Sequence, residues 1–212
     1  MWRSPDWVRH VLGRRLETDP GTQFAYSSSG CHLLSAIVAN AVGQSTFGYA
    51  RAKLFNPLGI RTDGAFQPIL SDTIDPAVLA RYDRSSVAWP VDPQGYSYGG
   101  AFLKLPARDL AKFGYLYLNG GRWDGKQIIP ADYVAAATSA DGSSPNLMAG
   151  YGWLWWVGEE AGHHTFRAQG YGGQYIYVVP DLDLVTVVTS DPEAGLFPST
   201  LFPATILPAI RS

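Results

Sequence analysis

The sequence predicts an α+β fold, with a mainly helical lobe over residues 1–150 and antiparallel strands plus a C-terminal segment over residues 151–212. Two observations carry this. Apolar residues recur at helical spacing in the first part of the chain, whereas the last part turns to short aromatic and β-branched runs separated by Gly-rich and Pro-Asp turns. At 212 residues the chain is also long enough to bury a sizeable core.

The helices are justified in order. Asp19-Pro20-Gly21 is a turn, and Ser27-Ser28-Ser29 offers N-cap side chains for a helix that Gly43 ends at C′. Leu33, Leu34, Ile37, Val38, Ala41 and Val42 form the broad apolar stripe expected of a well-buried helix. Ser45 caps a second helix through Phe47, Ala50, Arg51 and Leu54, which Asn56-Pro57 terminates because the residue before proline disfavours the α region. Residues 60–100 are rich in Asp, Pro, Gly and Ser with little periodicity, so 61–98 reads as a long loop with isolated short elements. Pro106 opens a third helix with Leu110, Phe113 and Tyr117 on one face, and a fourth spans Ala131 to Thr138.

Four strands follow, at Tyr151 to Val157, His164 to Ala168, Gln174 to Val179 and Leu184 to Thr189. Their short connections favour antiparallel pairing. Pro198, Pro203 and Pro208 break any long helix in the apolar final segment, which is expected to pack on the sheet.

Composition excludes several functions. The formal net charge of −2 and the lack of a basic run argue against nucleic acid as a partner, because phosphate binding needs clustered Lys and Arg. A single cysteine, Cys31, excludes an intramolecular disulfide and a multi-cysteine zinc site. Leu33 to Val42, among the longest apolar stretches, falls short of a membrane span. Met1 to Arg15 has no continuous apolar core, so it is not a signal peptide, and localisation stays open. His163 and His164 are neighbours on a strand start and point to opposite faces, while His10 and His32 stand alone and read as structural. No metal or other cofactor is expected. The GxSxG elbow is absent, since Ser27, Ser28 and Ser29 lack the leading glycine and the preceding strand.

Four blocks carry a resemblance. They are Pro20-Gly21 with Phe24-Ala25-Tyr26-Ser27-Ser28-Ser29-Gly30; Leu54-Phe55-Asn56-Pro57-Leu58-Gly59-Ile60; Gly99-Gly100 with Ala107-Arg108-Asp109-Leu110-Ala111-Lys112-Phe113 and Leu118-Asn119-Gly120-Gly121; and Arg167-Ala168-Gln169-Gly170-Tyr171-Gly172-Gly173-Gln174. In this order they resemble the serine β-lactamase and penicillin-binding-protein superfamily, in particular its class C-type branch of esterases, amide hydrolases and peptidases.

The resemblance implies a β-lactamase/transpeptidase-like fold with a polar cleft between a helical lobe and a sheet. There a serine attacks the acyl carbon, a lysine and a tyrosine handle its proton, and backbone N–H groups stabilise the oxyanion. Tyr26 matches that tyrosine, and Gly173 N–H is the candidate oxyanion donor. Ser28 stands where an amide side chain is usual, and Gly170 where Lys or His is usual; with Tyr171 and Gly172 they are the substrate-binding candidates. Loss of the cation at Gly170 favours neutral esters or amides over carboxylate-bearing substrates.

The family's Ser-x-x-Lys is missing from the sequence. The residues three before Lys53, Lys104, Lys112 and Lys126 are Ala50, Ala101, Asp109 and Trp123. Without a nearby cation, deprotonating a tyrosine at pH 7 costs about 4 kcal/mol. The chain is therefore expected to be the C-terminal part of a serine hydrolase acting on an ester, amide or lactam through an acyl-enzyme, its sheet incomplete and its activity absent in isolation. Trp2 to Val8 resembles an internal family segment, in keeping with that reading. The alternatives are a catalytically inactive short paralogue that binds a ligand or protein, and a split enzyme completed by another chain. Exposed sheet edges are expected to call for a complementing chain or self-association.

Overall fold

A computed structural model describes residues 1–140, 150–192 and 199–210, which fall into two units, Met1–Pro106 and Ala107–Ser212. The elements are those of an α+β fold, with short helices and an antiparallel sheet.

In the first unit, α1 (Trp7–Leu12) starts where the Asp6 carboxylate accepts Arg9 N–H at 2.8 Å. Helix α2 (Ser28–Val42) has the expected caps: Ser27 Oγ accepts Gly30 N–H at 3.0 Å, and Gly43 closes the helix at φ 69°. Its buried face differs from the expected stripe. His32, Ser35, Ala36 and Ala39 point inward, while Leu34 and Ile37 are exposed. The inner face is polar because α2 is fastened by side-chain bonds, among them Ser35 Oγ to Thr46 Oγ1 at 3.0 Å.

Ser45 caps α3 (Thr46–Ala50), which continues as a π-helical turn over Arg51–Phe55. Asn56 N–H bonds back to the Arg51 carbonyl at 2.9 Å, and Gly59 turns the chain away at φ 64°. Within the stretch expected to be a loop lies α4 (Pro76–Arg84), started by Asp75 as N-cap and Pro76 at the first helical position. It buries no residue and so carries no apolar stripe strong enough to be read. Around it, isolated bridges join Phe66 to Ala88 and Ile69 to Val91. Trp7, Leu70 and Tyr98 form a core cluster here.

In the second unit, α5 (Ala107–Leu118) directs Leu110, Phe113 and Tyr117 into the core as expected. Gly114 lets the helix approach the sheet, for a Cβ there would lie 2.7 Å from Val185 Cγ1 and 2.8 Å from Ile176 Cγ2. A small hairpin absent from the sequence reading follows, β1 (Arg122–Trp123) and β2 (Lys126–Gln127). Asp124 and Gly125 turn it at φ 46° and 73°, the positive angles that a two-residue hairpin loop requires. Helix α6 (Ala131–Ala137) matches the fourth expected helix.

The main sheet has the order β3-β4-β5-β6-β7, antiparallel throughout: Gly150–Tyr151, Trp156–Glu160, His163–Gly170, Gln174–Val179 and Leu184–Val188. The run expected as one strand from Tyr151 to Val157 is instead a hairpin. Leu154 at φ 68° and the bond from Gly152 N–H to the Trp155 carbonyl, 2.8 Å, reverse the chain in its middle. One sheet face packs Val157, Phe166, Ile176 and Val178 with Tyr117 and Trp155. The other packs Tyr175, Tyr177, Val179 and Val188 with Phe202 and Leu207. The final segment, a π-helical turn at Phe202–Ile206 followed by α7 (Leu207–Ala209), therefore covers the sheet as expected, with the Phe202 ring stacked 4.0 Å from that of Tyr177. Pro198 lies outside the described residues.

Candidate active site

The sequence candidates fall into two groups, one at the start of α2 and one in the β5–β6 hairpin. Tyr26 precedes the Ser27 cap and is 53% exposed, and Ser28, half-buried, is the first residue of α2. Two glycines bring a neighbouring segment against this turn. A Cβ on Gly99 would stand 2.3 Å from the Cys31 carbonyl oxygen, and one on Gly100 would stand 2.6 Å from that of Ser28. The motif glycines thus fit the backbone of the first turn of α2.

His32 locks the same turn in place. Its Nε2 lies 3.0 Å from Asp92 Oδ2, and both side chains are fully buried. Asp92 Oδ1 accepts the backbone N–H groups of Gln94 and Tyr96 at 2.9 and 2.8 Å, while Gly99 N–H reaches His32 Nδ1 at 3.5 Å. With Nδ1 accepting, the ring hydrogen belongs on Nε2, where it donates to Asp92. His32 is structural, as its isolation in the sequence suggested. Burial, followed by the Cys31 thiol and the Tyr26 hydroxyl, raises the Tyr98 phenol above its usual range. Burial likewise raises the Cys31 thiol, which makes it a poor nucleophile.

In the second group, Gly170 pairs with Gln174 across the hairpin, and Tyr171, Gly172 and Gly173 form its loop. Tyr171 is 78% exposed. Gly172 and Gly173 have φ of 74° and 86°, and a Cβ on Gly172 would lie 2.5 Å from Pro192 Cγ. Glycine is therefore required at Gly172 on two counts.

Sequence reasoning gave Gln174 no role and passed over Ser190. Gln174 Nε2 donates to the Ser190 carbonyl at 2.7 Å and to the Gly172 carbonyl at 3.3 Å, while its Oε1 accepts Ser190 N–H at 3.3 Å. Ser190 Oγ donates to the Gly172 carbonyl and lies 3.2 Å from that of Gly173. Only the register that sets Tyr175 opposite Val188 brings these residues together, and no local motif encodes that register.

Elsewhere in the second unit, His163 Nδ1 meets Asp181 Oδ2, and this hydrogen bond holds the Asp181 carboxyl below its ordinary range. Among the described residues no group of three or more His, Cys, Asp or Glu side chains is arranged to hold a metal. A cavity of about 340 Å³ opens on the sheet face that carries Tyr177 and is lined by Glu160, Arg167, Gln169, Tyr175 and Pro203. Among the described residues no helix is long and apolar enough to cross a membrane.

The family model described as Beta-lactamase matches residues 1–197. An uncharacterized protein of Alkalihalophilus pseudofirmus is 29% identical, the match covering 81% of this chain and 53% of that protein. Among solved structures, an octameric penicillin-binding protein homologue from Pyrococcus abyssi superposes with a TM-score of 0.63 at 20% identity, over 90% of this chain and 44% of that one. A Bacillus anthracis protein assigned as a 6-aminohexanoate-dimer hydrolase gives 0.59 at 21% identity, over 85% of this chain and 43% of that one. The chain thus spans about half the length of these relatives. With the family model matching residues 1–197 of 212, the chain belongs to the β-lactamase family.

Proposed function

We propose that this chain is the C-terminal part of a β-lactamase-family serine hydrolase that cleaves a neutral ester or amide through an acyl-enzyme. The observation that carries the reading is the β5–β6 loop, where glycines with positive φ at Gly172 and Gly173 and a tethered Gly172 carbonyl present a fixed backbone N–H at Gly173. The nucleophile belongs to a Ser-x-x-Lys segment outside these 212 residues. Its hydroxyl adds to the acyl carbon, the proton passes by way of the lysine and Tyr26 to the departing alcohol or amine, and water then cleaves the acyl-serine ester. Gly173 N–H stabilises the oxyanion in both halves of the cycle. Gly170 supplies no cation for a substrate carboxylate, which supports the choice of a neutral substrate.

The test is kinetic. The reading frame upstream of the Met1 codon is translated, and the enzyme carrying its Ser-x-x-Lys segment is assayed against a simple ester and a carboxylated β-lactam. Ester turnover that exceeds β-lactam turnover, and that falls at least about 100-fold in Tyr26→Phe, the lower end of the usual range for acid–base groups, supports the proposal. A stop codon just upstream, or a preference for the carboxylated β-lactam, contradicts it. The stop codon would favour a short paralogue that uses the same surface for binding.

A further inference from the structure

We infer that Gln174 and Ser190 are positioning residues for the oxyanion donor: together they clamp the Gly172 carbonyl and thereby aim Gly173 N–H. This rests on the reading of Gly173 as the donor. A trans peptide holds its C=O and N–H antiparallel, so fixing one fixes the other. The Gly172–Gly173 peptide is trans, as are all others among the described residues.

Both of its residues are glycines with positive φ, 74° at Gly172 and 86° at Gly173, a region where glycine gains little restraint from its own sterics. Two glycines in succession would leave this peptide free to rotate, and a rotating donor is worth little to catalysis, since the donor must be set before charge develops. The restraint comes from side chains instead. The Gly172 carbonyl accepts from both Gln174 Nε2, at 3.3 Å, and Ser190 Oγ.

Gln174 is itself anchored twice to the Ser190 backbone, by Nε2 to the carbonyl at 2.7 Å and by Oε1 to the N–H at 3.3 Å. The amide side chain therefore has a single orientation, with Nε2 toward the carbonyls and Oε1 toward the N–H. Pro192 also packs against Gly172, its Cγ 2.5 Å from where a Cβ would lie. The carbonyl is thus held on the side of Gln174 and Ser190, and Gly173 N–H points the opposite way. A glutamate at Gln174 would lose both donated bonds and place a charge beside two carbonyl oxygens.

Labelling glycine with carbonyl carbon-13 and amide nitrogen-15 isolates Gly-Gly peptides, of which these residues hold three: Gly99-Gly100, Gly120-Gly121 and Gly172-Gly173. The carbonyl resonance of Gly172 is expected to move upfield in Ser190→Ala and in Gln174→Ala. The other two resonances stay in place, and Ser190→Thr, which keeps the hydroxyl, restores the wild-type position. In the enzyme carrying its Ser-x-x-Lys segment, the two alanine variants are expected to lower kcat about tenfold or more with KM little changed, a fraction of the loss seen when an oxyanion donor is removed outright. An unmoved Gly172 carbonyl in both variants overturns the clamp. A moved carbonyl with unchanged kcat overturns its catalytic purpose. Absence of turnover in the wild-type enzyme contradicts the hydrolase reading, while the carbonyl shift still decides the orientation of the peptide.

Discussion

His32 Nε2 meets Asp92 Oδ2 at 3.0 Å with neither side chain exposed, so the start of α2 is fixed by a buried polar pair three residues past Ser29 and six past Tyr26 in sequence. Asp92 is fully committed, for its other oxygen holds two backbone N–H groups. Removing the imidazole leaves a buried carboxylate oxygen without its donor. His32→Ala is therefore expected to lower stability by about 3 kcal/mol, within the range for breaking buried pairs. His10→Ala, at an exposed position, changes it by less than about 0.5 kcal/mol. Urea unfolding of the two variants measures the difference.

Two closely packed glycines should respond differently to alanine. At Gly99 the new methyl group meets backbone, the Cys31 carbonyl at 2.3 Å, whereas at Gly114 it meets the methyl ends of Val185 and Ile176 at 2.7 and 2.8 Å. Methyl groups shift more readily than a helix carbonyl. Gly99→Ala is expected to cost up to about 3 kcal/mol and Gly114→Ala less, both within the range for overpacking. Chemical denaturation ranks them, and the reverse order would show that α2 yields more easily than the sheet.

Alkaline pH probes Tyr177. Burial pushes its phenol up to about 12, and the Arg167 guanidinium nearby offsets only part of that rise. An unfolded tyrosine releases its proton near 10, so between these values the unfolded chain binds fewer protons and stability falls as pH rises. The contribution is fully present below about pH 10 and is lost as pH climbs to about 12. Tyr177→Phe should remove this share of the alkaline loss. At pH 7 it should change stability by less than about 1 kcal/mol, because the enclosed hydroxyl makes no well-formed hydrogen bond among the described residues. Urea midpoints across the alkaline range, wild type against variant, give the answer.

The outer edge of β7 carries no strand among the described residues, and Leu184-Val185-Thr186-Val187-Val188 has neither charge nor proline to discourage pairing. Isolated chains are expected to associate with rising concentration. Thr186→Lys should shift sedimentation toward the monomer, and unchanged sedimentation would place the association elsewhere.

Local chemistry made much of this fold legible. Ser27 and Gly43 bound α2 because cap geometry is encoded within a few residues, and β6 is bounded by Gly173 and Pro180 for the same reason. The face that α2 buries was not legible. Its inner side is chosen by the distant Asp92 and Thr46, which outweigh the apolar pattern of Leu34 and Ile37. The hairpin within Tyr151 to Val157 was hidden because Leu154 takes a positive φ that no glycine announces. At the candidate site, Tyr26 and the Gly170 to Gly173 run stand out as motifs, whereas the Gln174–Ser190 clamp spans sixteen residues and exists only once β6 and β7 pair.

The most direct test of the account is fluorophosphonate labelling followed by mass mapping of the modified residue. The 212-residue chain is predicted to remain unlabelled, and a longer enzyme carrying the proposed upstream Ser-x-x-Lys segment to take one label on that serine, with Tyr26→Phe slowing the reaction. Stoichiometric labelling of the 212-residue chain alone, at any of its own side chains, would contradict the claim that its nucleophile lies outside it.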